Sequence, residues 1–275
     1  MSIAFIGGGN MARALIAGLI GRGTPATALK VGEPLQLARE ALSRDFGLEA
    51  TADNAAAIEG AGLVVMAVKP QQAGSVLTPL RAQFQTSRPV VLSVAAGITV
   101  ASLQEWLGPG VPVVRAMPNR PALVGAGVSG LYAAPGVSAA QRQLAEDAMR
   151  TAGKAVWLDR EEDIDAVIAV SGSGPAYFFL LAELMMHHGV AMGLAPATAR
   201  MLAVETLYGA GALAHASADG DLARMRAEVT SKGGTTAAAV AVFEAQGLAR
   251  TVATAMDAAA QRGREIAAEF GRAQA

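Results

Sequence analysis

The 275-residue chain is 52% hydrophobic, which is enough apolar material for one large domain or two ordinary ones without covalent staples. It has no cysteine, which excludes disulfides, thiolate metal ligands and a thiol nucleophile, and fits a reducing cytoplasm. A net charge of -1 gives no basic field, so neither nucleic acid nor an anionic membrane is an expected partner.

The first apolar run, IAFI at 3–6, passes directly into Gly7, Gly8 and Gly9 and then into a helical stretch from Asn10 to Ile20. No basic region precedes the run and no small-residue cleavage site follows it, so it reads as structure rather than a signal peptide. Gly7, Gly9 and Ala12 fit G-x-G-x-x-G/A between a strand and a helix. There Gly7 would make the tight turn, Gly9 would let a pyrophosphate approach the backbone, and Ala12 would allow close helix packing. A plain structural turn is the other reading.

A second strand, ALKVG at 28–32, leads into Glu33, roughly 20 residues beyond Ala12, where an acidic side chain accepts hydrogen bonds from an adenosine ribose. A carboxylate there repels a 2′-phosphate and favours NADH. Alternatively, Glu33 and Pro34 open the helix Pro34 to Arg44 with an acid near its dipole, and Arg39 within it stays in reach of a phosphate.

Further on, helical stretches Asn54 to Glu59, Gln72 to Phe84 and Thr99 to Trp106 alternate with the runs LVVMAV (63–68), VVLSV (90–94) and VPVVRAM (111–117). Continuous apolar runs are expected of parallel strands covered on both faces, and the alternation is that of a doubly wound, Rossmann-like α/β sheet. Ligands of such sheets sit beyond the carboxyl ends of the strands, which places AVKP (67–70), SVAAG (93–97) and AMPN (116–119) at the binding edge. Ordinary loop punctuation is the alternative for each.

KAVWL (154–158) is the last expected strand. Helical segments follow over Ile164 to Val170, Pro175 to His188, Pro196 to Ala216, Asp221 to Val229, Thr236 to Gln246 and Leu248 to Phe270, separated by the breakers GSGP, GLAP, ADGD, SKGG and QG. The expected organisation is therefore an α/β dinucleotide-binding domain over 1–160 and an all-helical domain over 161–275. AYFFLLAELMM at 176–186 is short and contains Glu183, so it reads as a buried helix rather than a membrane span. His187 and His188 are adjacent and diverge on a helix, and His215 is the one other histidine, so no metal site is expected. Met185, Met186, Met192 and Met201 read as core or interface filler, and the Ala- and Gly-dense run Ala203 to Ala218 suits close helix packing.

FIGGGNMARALIAGL, AVKPQ, SVAAGI, VRAMPNRPALVG, SGSGPAYFF and VTSKGGTT occur in this order and together closely resemble the Δ1-pyrroline-5-carboxylate reductases, the enzymes of the last step of proline synthesis. The resemblance runs from residue 3 to about 245, and VTSKGGTT is its most specific block. It implies reduction of L-1-pyrroline-5-carboxylate to L-proline by NADPH or NADH. It also implies a helical domain that makes an intertwined homodimer in the cytoplasm, assembled further into a ring, a decamer built of dimers. By similarity, Gly7, Gly8, Gly9, Asn10 and Met11 form the pyrophosphate loop. Asn54 and Ala67, Val68, Lys69 and Pro70 resemble adenosine and nicotinamide contacts, and Ala95, Ala96 and Gly97 another cofactor-side turn. Ser231, Gly233, Gly234, Thr235 and Thr236 resemble the substrate loop, with the Thr236 hydroxyl facing the ring nitrogen and Glu162 bordering the substrate pocket. Three departures stand out: Lys232 where the family usually has Pro, Arg120 where it usually has Thr, and Glu33, which puts the frequent NADPH preference in doubt.

The residue types suit that chemistry. Hydride transfer to a carbon–nitrogen double bond needs orientation, a held carboxylate and a hydrogen bond to nitrogen, and no protein nucleophile. Amides at the helix start Gly233 to Thr236 would hold a carboxylate as those at the first helix hold phosphates; a Gly-bearing turn with a Thr cap is the structural alternative. The β-hydroxyacid dehydrogenases share the Gly-rich opening but use a lysine after a glycine-rich helix start, and SGSGPAYFFLLAE has none. A dinucleotide-sensing regulator would bind without turnover, and gives no reason for a complete SKGGTT loop.

Overall fold

The computed structural model describes residues 2–217 and 220–272. In chain order the elements of the α/β part are β1 (Ser2–Ile6), α1 (Asn10–Gly21), β2 (Leu29–Gly32), α2 (Gln36–Phe46), β3 (Glu49–Thr51), α3 (Asn54–Ile58) and β4 (Ala61–Met66). They continue with α4 (Pro70–Leu77), α5 (Arg81–Ser87), β5 (Val90–Ser93), α6 (Val100–Leu107), β6 (Val113–Met117), β7 (Gly127–Ala133), α7 (Ala139–Arg150) and β8 (Gly153–Trp157). Among the described residues, eight strands form one sheet in the order β3-β2-β1-β4-β5-β6-β7-β8. Every pairing is parallel except β6 with β7. Ile3 pairs with Leu29 on one side and Leu63 on the other, so the order reverses between β1 and β4, where open sheets bind ligands.

The central strands are apolar throughout because both faces are covered. Phe5 packs with Leu15, Leu29 and Leu63 on one face, while Ile6 packs with Val64, Phe84 and Val91 on the other. Three elements escape the sequence pattern. β3 is a three-residue edge strand, EAT, and β7 carries Ser129 and Gly130 inside it. A Cβ at Gly130 would stand 2.7 Å from Val167, so this strand is shaped for close helix packing rather than by β propensity. α7 starts at a capping box, in which Ser138 and Gln141 bond each other's backbone amides. The single helix expected over 72–84 is instead two, α4 and α5, separated by a 3-10 turn at Thr78–Leu80 around Pro79, whose missing amide ends the first.

The chain packs as two compact units, divided elsewhere than at residue 160. The first runs through Ser173 and takes in the chain from Ala259 on; the second is Gly174–Ala258. Helix α8 (Asp163–Val167) and the π-helical turn Ile168–Gly172 belong to the sheet, because Ile164 is fully buried and Val167 lies over Gly130.

The second unit contains α9 (Gly174–Ala191), α10 (Pro196–Ala216), α11 (Leu222–Glu228), α12 (Thr235–Ala245) and the start of α13 (Leu248–Arg272). α9 packs on α10, with Gly189 close to Ala199. Two residues of the ADGD junction, Ala218 and Asp219, lie outside the described residues, as does the end of the Ala203 to Ala218 run. The expectation of a buried helix at 176–186 is corrected: Phe178 is 60% and Phe179 58% exposed, and Leu180, Leu184 and Met185 are also exposed. Among the described residues, one helical run, 163–191, is long and apolar enough to cross a membrane by length and composition.

Candidate active site

The turn after β1 has the geometry that a dinucleotide requires. Gly7 sits at φ +94°, and a Cβ there would lie 3.0 Å from both the Ala67 carbonyl oxygen and Val68 Cγ1, so the turns after β1 and β4 touch. The Gly7 amide is taken by the Gly32 carbonyl at 2.8 Å. Gly9 is the N-cap of α1, in an extended conformation, with no side chain capping the helix. A Cβ on Gly9 would meet nothing within 4 Å. The amides of Gly9, Asn10 and Met11 therefore face the helix start without helical acceptors, at the positive end of the dipole.

Glu33, just past β2, is 9% exposed. Its Oε2 accepts the Gly8 amide and its Oε1 the Leu35 amide, each at 3.0 Å. Glu33 thus sits at the entrance to α2, as one of the two sequence readings expects, and it also braces the Gly-rich turn. Gly8 differs from the expectation for a phosphate contact, since its amide is already held by Glu33. Asn54, at the start of α3, lies against the end of β2, and a Cβ at Gly32 would be 2.1 Å from its Oδ1. That oxygen is buried with no hydrogen-bond partner. An open amide turn, a buried carboxylate and an orphaned acceptor along one sheet edge fit a nucleotide.

Beyond β5 and β6 the same edge opens into a cleft of about 290 Å³, lined by Asn10 and Met11 of α1, Ala96, Met117, Asn119 and Arg120, among others. Of the β4 turn, Ala67, Val68 and Pro70 are half-buried and Lys69 is exposed. Ala95 is 6% exposed in the core, and Gly97, at φ +76°, would bring a Cβ within 2.5 Å of Ile266 of α13. Ala96 faces the cleft, whereas Ala95 and Gly97 are held by internal packing.

Sequence reasoning missed the frame behind this edge. Arg115 on β6 is buried and donates to Glu161 Oε1 at 2.8 Å, and the same oxygen accepts the Val100 amide at the start of α6. Asn119 donates to the Ser171 carbonyl at 3.1 Å and accepts the Val128 amide at 3.0 Å, which ties the AMPN loop to β7 and to the π-helical turn. Asp165 is pushed above the ordinary carboxyl range by burial, against the opposing pull of Arg115 and Arg264. Glu162, the acid singled out from the REED run, is exposed and absent from the cleft lining; Glu161 beside it turns inward. The two are neighbours in the turn that leads into α8.

In the helical unit, Ser231 to Thr236 form the turn into α12. Gly233 is at φ +76°, the Gly234 amide donates to the Ser231 carbonyl at 3.0 Å, and a Cβ at Gly234 would stand 2.6 Å from Ser231 Oγ. Gly234 is the N-cap, again without a side-chain cap, so the first-turn amides of Thr235 and Thr236 lack helical acceptors. Ser231, Lys232, Gly233, Thr235 and Thr236 are all exposed.

A family model described as pyrroline-5-carboxylate reductase dimerisation matches residues 161–266, and one described as NADP oxidoreductase, coenzyme F420-dependent, matches residues 2–97. The pyrroline-5-carboxylate reductase of Pseudomonas aeruginosa is 45% identical over 270 residues, covering 98% of both chains. That of Vibrio alginolyticus is 40% identical over 264 residues, covering 96% of this chain and 97% of its own. Among solved structures, a pyrroline-5-carboxylate reductase from Coxiella burnetii matches with a TM-score of 0.92 at 37% identity, over 96% of this chain and 98% of that one. The enzyme of Plasmodium falciparum, solved with NADP bound, matches at 0.82 and 26% identity, over 97% and 98%.

Proposed function

The chain belongs to the pyrroline-5-carboxylate reductase family, and from that premise we propose how its residues serve the reduction of L-1-pyrroline-5-carboxylate to L-proline with NAD(P)H. The observation that carries the reading is a pair of helix starts, Gly9 at α1 and Gly234 at α12, each capped by glycine and leaving its amides to an anion.

At the first, the amides of Gly9, Asn10 and Met11 hold the pyrophosphate, while Glu33 and Asn54 face the adenosine ribose. Gly7 and Gly8 shape this turn without contributing an amide to it. The turn Ala67 to Pro70, with Ala96 and Met117, borders the nicotinamide. When bound, the nicotinamide supplies a hydride to the ring carbon of the carbon–nitrogen double bond, whose nitrogen arrives already protonated as the iminium. The protein's part is orientation: the amides of Thr235 and Thr236, with Ser231, Gly233 and Gly234, hold the ring carboxylate, and the Thr236 hydroxyl hydrogen-bonds the ring nitrogen.

The chain is a homodimer built through its helical part. The exposed apolar side chains of α9 and α10 support this, since a second chain rather than lipid would cover them. We take the protomers to intertwine and the dimers to join in a ring of ten chains in the cytoplasm. The sheet unit then serves the coenzyme, and the helical unit Gly174–Ala258 the substrate and dimerisation. The test is purified protein with pyrroline-5-carboxylate and either NADH or NADPH, following the absorbance of the reduced nicotinamide. No oxidation with either coenzyme overturns the reading.

A further inference from the structure

Glu33 is fixed more firmly than a surface carboxylate. Gly8 and Leu35 donate backbone amides to its two oxygens, and Arg39 closes the turn around it by donating through Nη1 to the carbonyls of Glu33 and Pro34, each at 2.8 Å. A carboxylate offers about four acceptor positions, so each oxygen keeps one free. The second acceptor at this strand end, Asn54 Oδ1, is buried and unpaired. Two acceptors at the end of β2 call for donors on the ligand. The vicinal hydroxyls of a ribose are donors, whereas a 2′-phosphate brings only acceptors and a charge of about -2. Moving Glu33 aside to admit that phosphate would break both amide bonds and unbrace the Gly-rich turn.

We propose that Glu33 makes NADH the preferred coenzyme of this chain, by accepting the hydroxyls of the adenosine ribose and repelling a 2′-phosphate. The proposal rests on the dinucleotide reading given above. It sets the chain apart from the solved relative that carries NADP.

The test is equilibrium binding of NADH and NADPH, read from the fluorescence of the bound reduced nicotinamide, with displacement of NADH by 5′-AMP and by 2′,5′-ADP. The intact protein should bind NADH at least about tenfold tighter than NADPH, and 5′-AMP should displace better than 2′,5′-ADP. Glu33→Gln keeps an acceptor for the amides and removes the charge, so it should narrow both ratios. Equal or tighter binding of NADPH by the unmodified chain overturns the proposal, whatever the variant does, and leaves the reductase reading standing. Binding of neither coenzyme removes the reading beneath it.

Discussion

Arg115 and Glu161 form a buried ion pair at 2.8 Å whose acceptor oxygen also receives the Val100 amide, so one carboxylate joins β6, the start of α6 and the approach to α8. The side chains are 6% and 21% exposed, which leaves Arg115 no solvent to fall back on if its partner is lost. Glu161→Ala should therefore destabilise the protein by about 3 kcal/mol in denaturant unfolding, since removing one member of such a pair leaves an uncompensated charge. Arg115→Met combined with Glu161→Leu should cost less than the single change. Additive losses in the double variant would mean that the two residues act separately.

Gly7 and Gly9 separate backbone strain from ligand clearance. Gly7→Ala meets the Ala67 carbonyl at 3.0 Å and a positive φ, so unfolding measurements should show a loss of about 1–3 kcal/mol. At Gly9 the added methyl meets no protein atom and the backbone is extended. Gly9→Ala should leave stability within about 1 kcal/mol of the parent while weakening coenzyme affinity by at least about tenfold. Unchanged affinity in Gly9→Ala would remove the pyrophosphate from this turn.

How much of this was legible in the sequence depends on where each element gets its stability. β1, β4 and β5 lie inside the sheet, and their runs of Ile, Val, Leu and Met read directly as strands because burial on both faces leaves no polar alternation. β7 was not legible: Ser129 and Gly130 interrupt it, and it exists because β6 and β8 pair with it and Val167 needs the space over Gly130. The glycines and Glu33 were legible as residue types at a meaningful spacing. Their partnership was not, since the Gly8 to Glu33 bond joins residues 25 positions apart. In the REED run, composition does not say which carboxylate turns inward, and only the docking of α8 selects Glu161 over Glu162. The exposed apolar face of α9 reads as core by hydropathy alone, because composition does not tell burial within a chain from burial between chains.

Glu146 gives a pH dependence with a definite sign. The Trp157 indole donates to its Oε2 and Arg150 to its Oε1, each at 2.7 Å; these bonds, the indole first, hold the carboxyl below its ordinary range against the effect of burial. The unfolded chain therefore takes up this proton at a higher pH than the folded one. The stabilisation is complete above the ordinary carboxyl pKa of about 4.3 and is lost as pH falls through the lowered folded value. Thermal unfolding followed from pH 7 down to about 3 should fall more steeply for the parent than for Glu146→Gln below that point. Emission from Trp157 should change in the same window, Trp106 being the other tryptophan and buried. Parallel stability curves for the two proteins would dismiss Glu146 as a contributor.

Thr236 offers the sharpest division between binding and turnover. It stands in the exposed first turn of α12, where its amide lacks a helical acceptor and Gly234 provides no cap, so the hydroxyl is not needed to hold the helix. Thr236→Ala keeps the amide and removes the hydroxyl assigned to the ring nitrogen together with the γ-methyl. Turnover should fall by about a hundredfold, the lower range for a positioned proton-handling group, while coenzyme affinity stays nearly the same, because the residues proposed to hold the nucleotide sit at α1, β2 and α3. Thr236→Ser restores the hydroxyl without the methyl and should recover most of the rate. If alanine and serine lose the same rate, the methyl's packing rather than the hydroxyl matters there. If coenzyme affinity falls together with turnover, the residue belongs to the nucleotide and not to the ring.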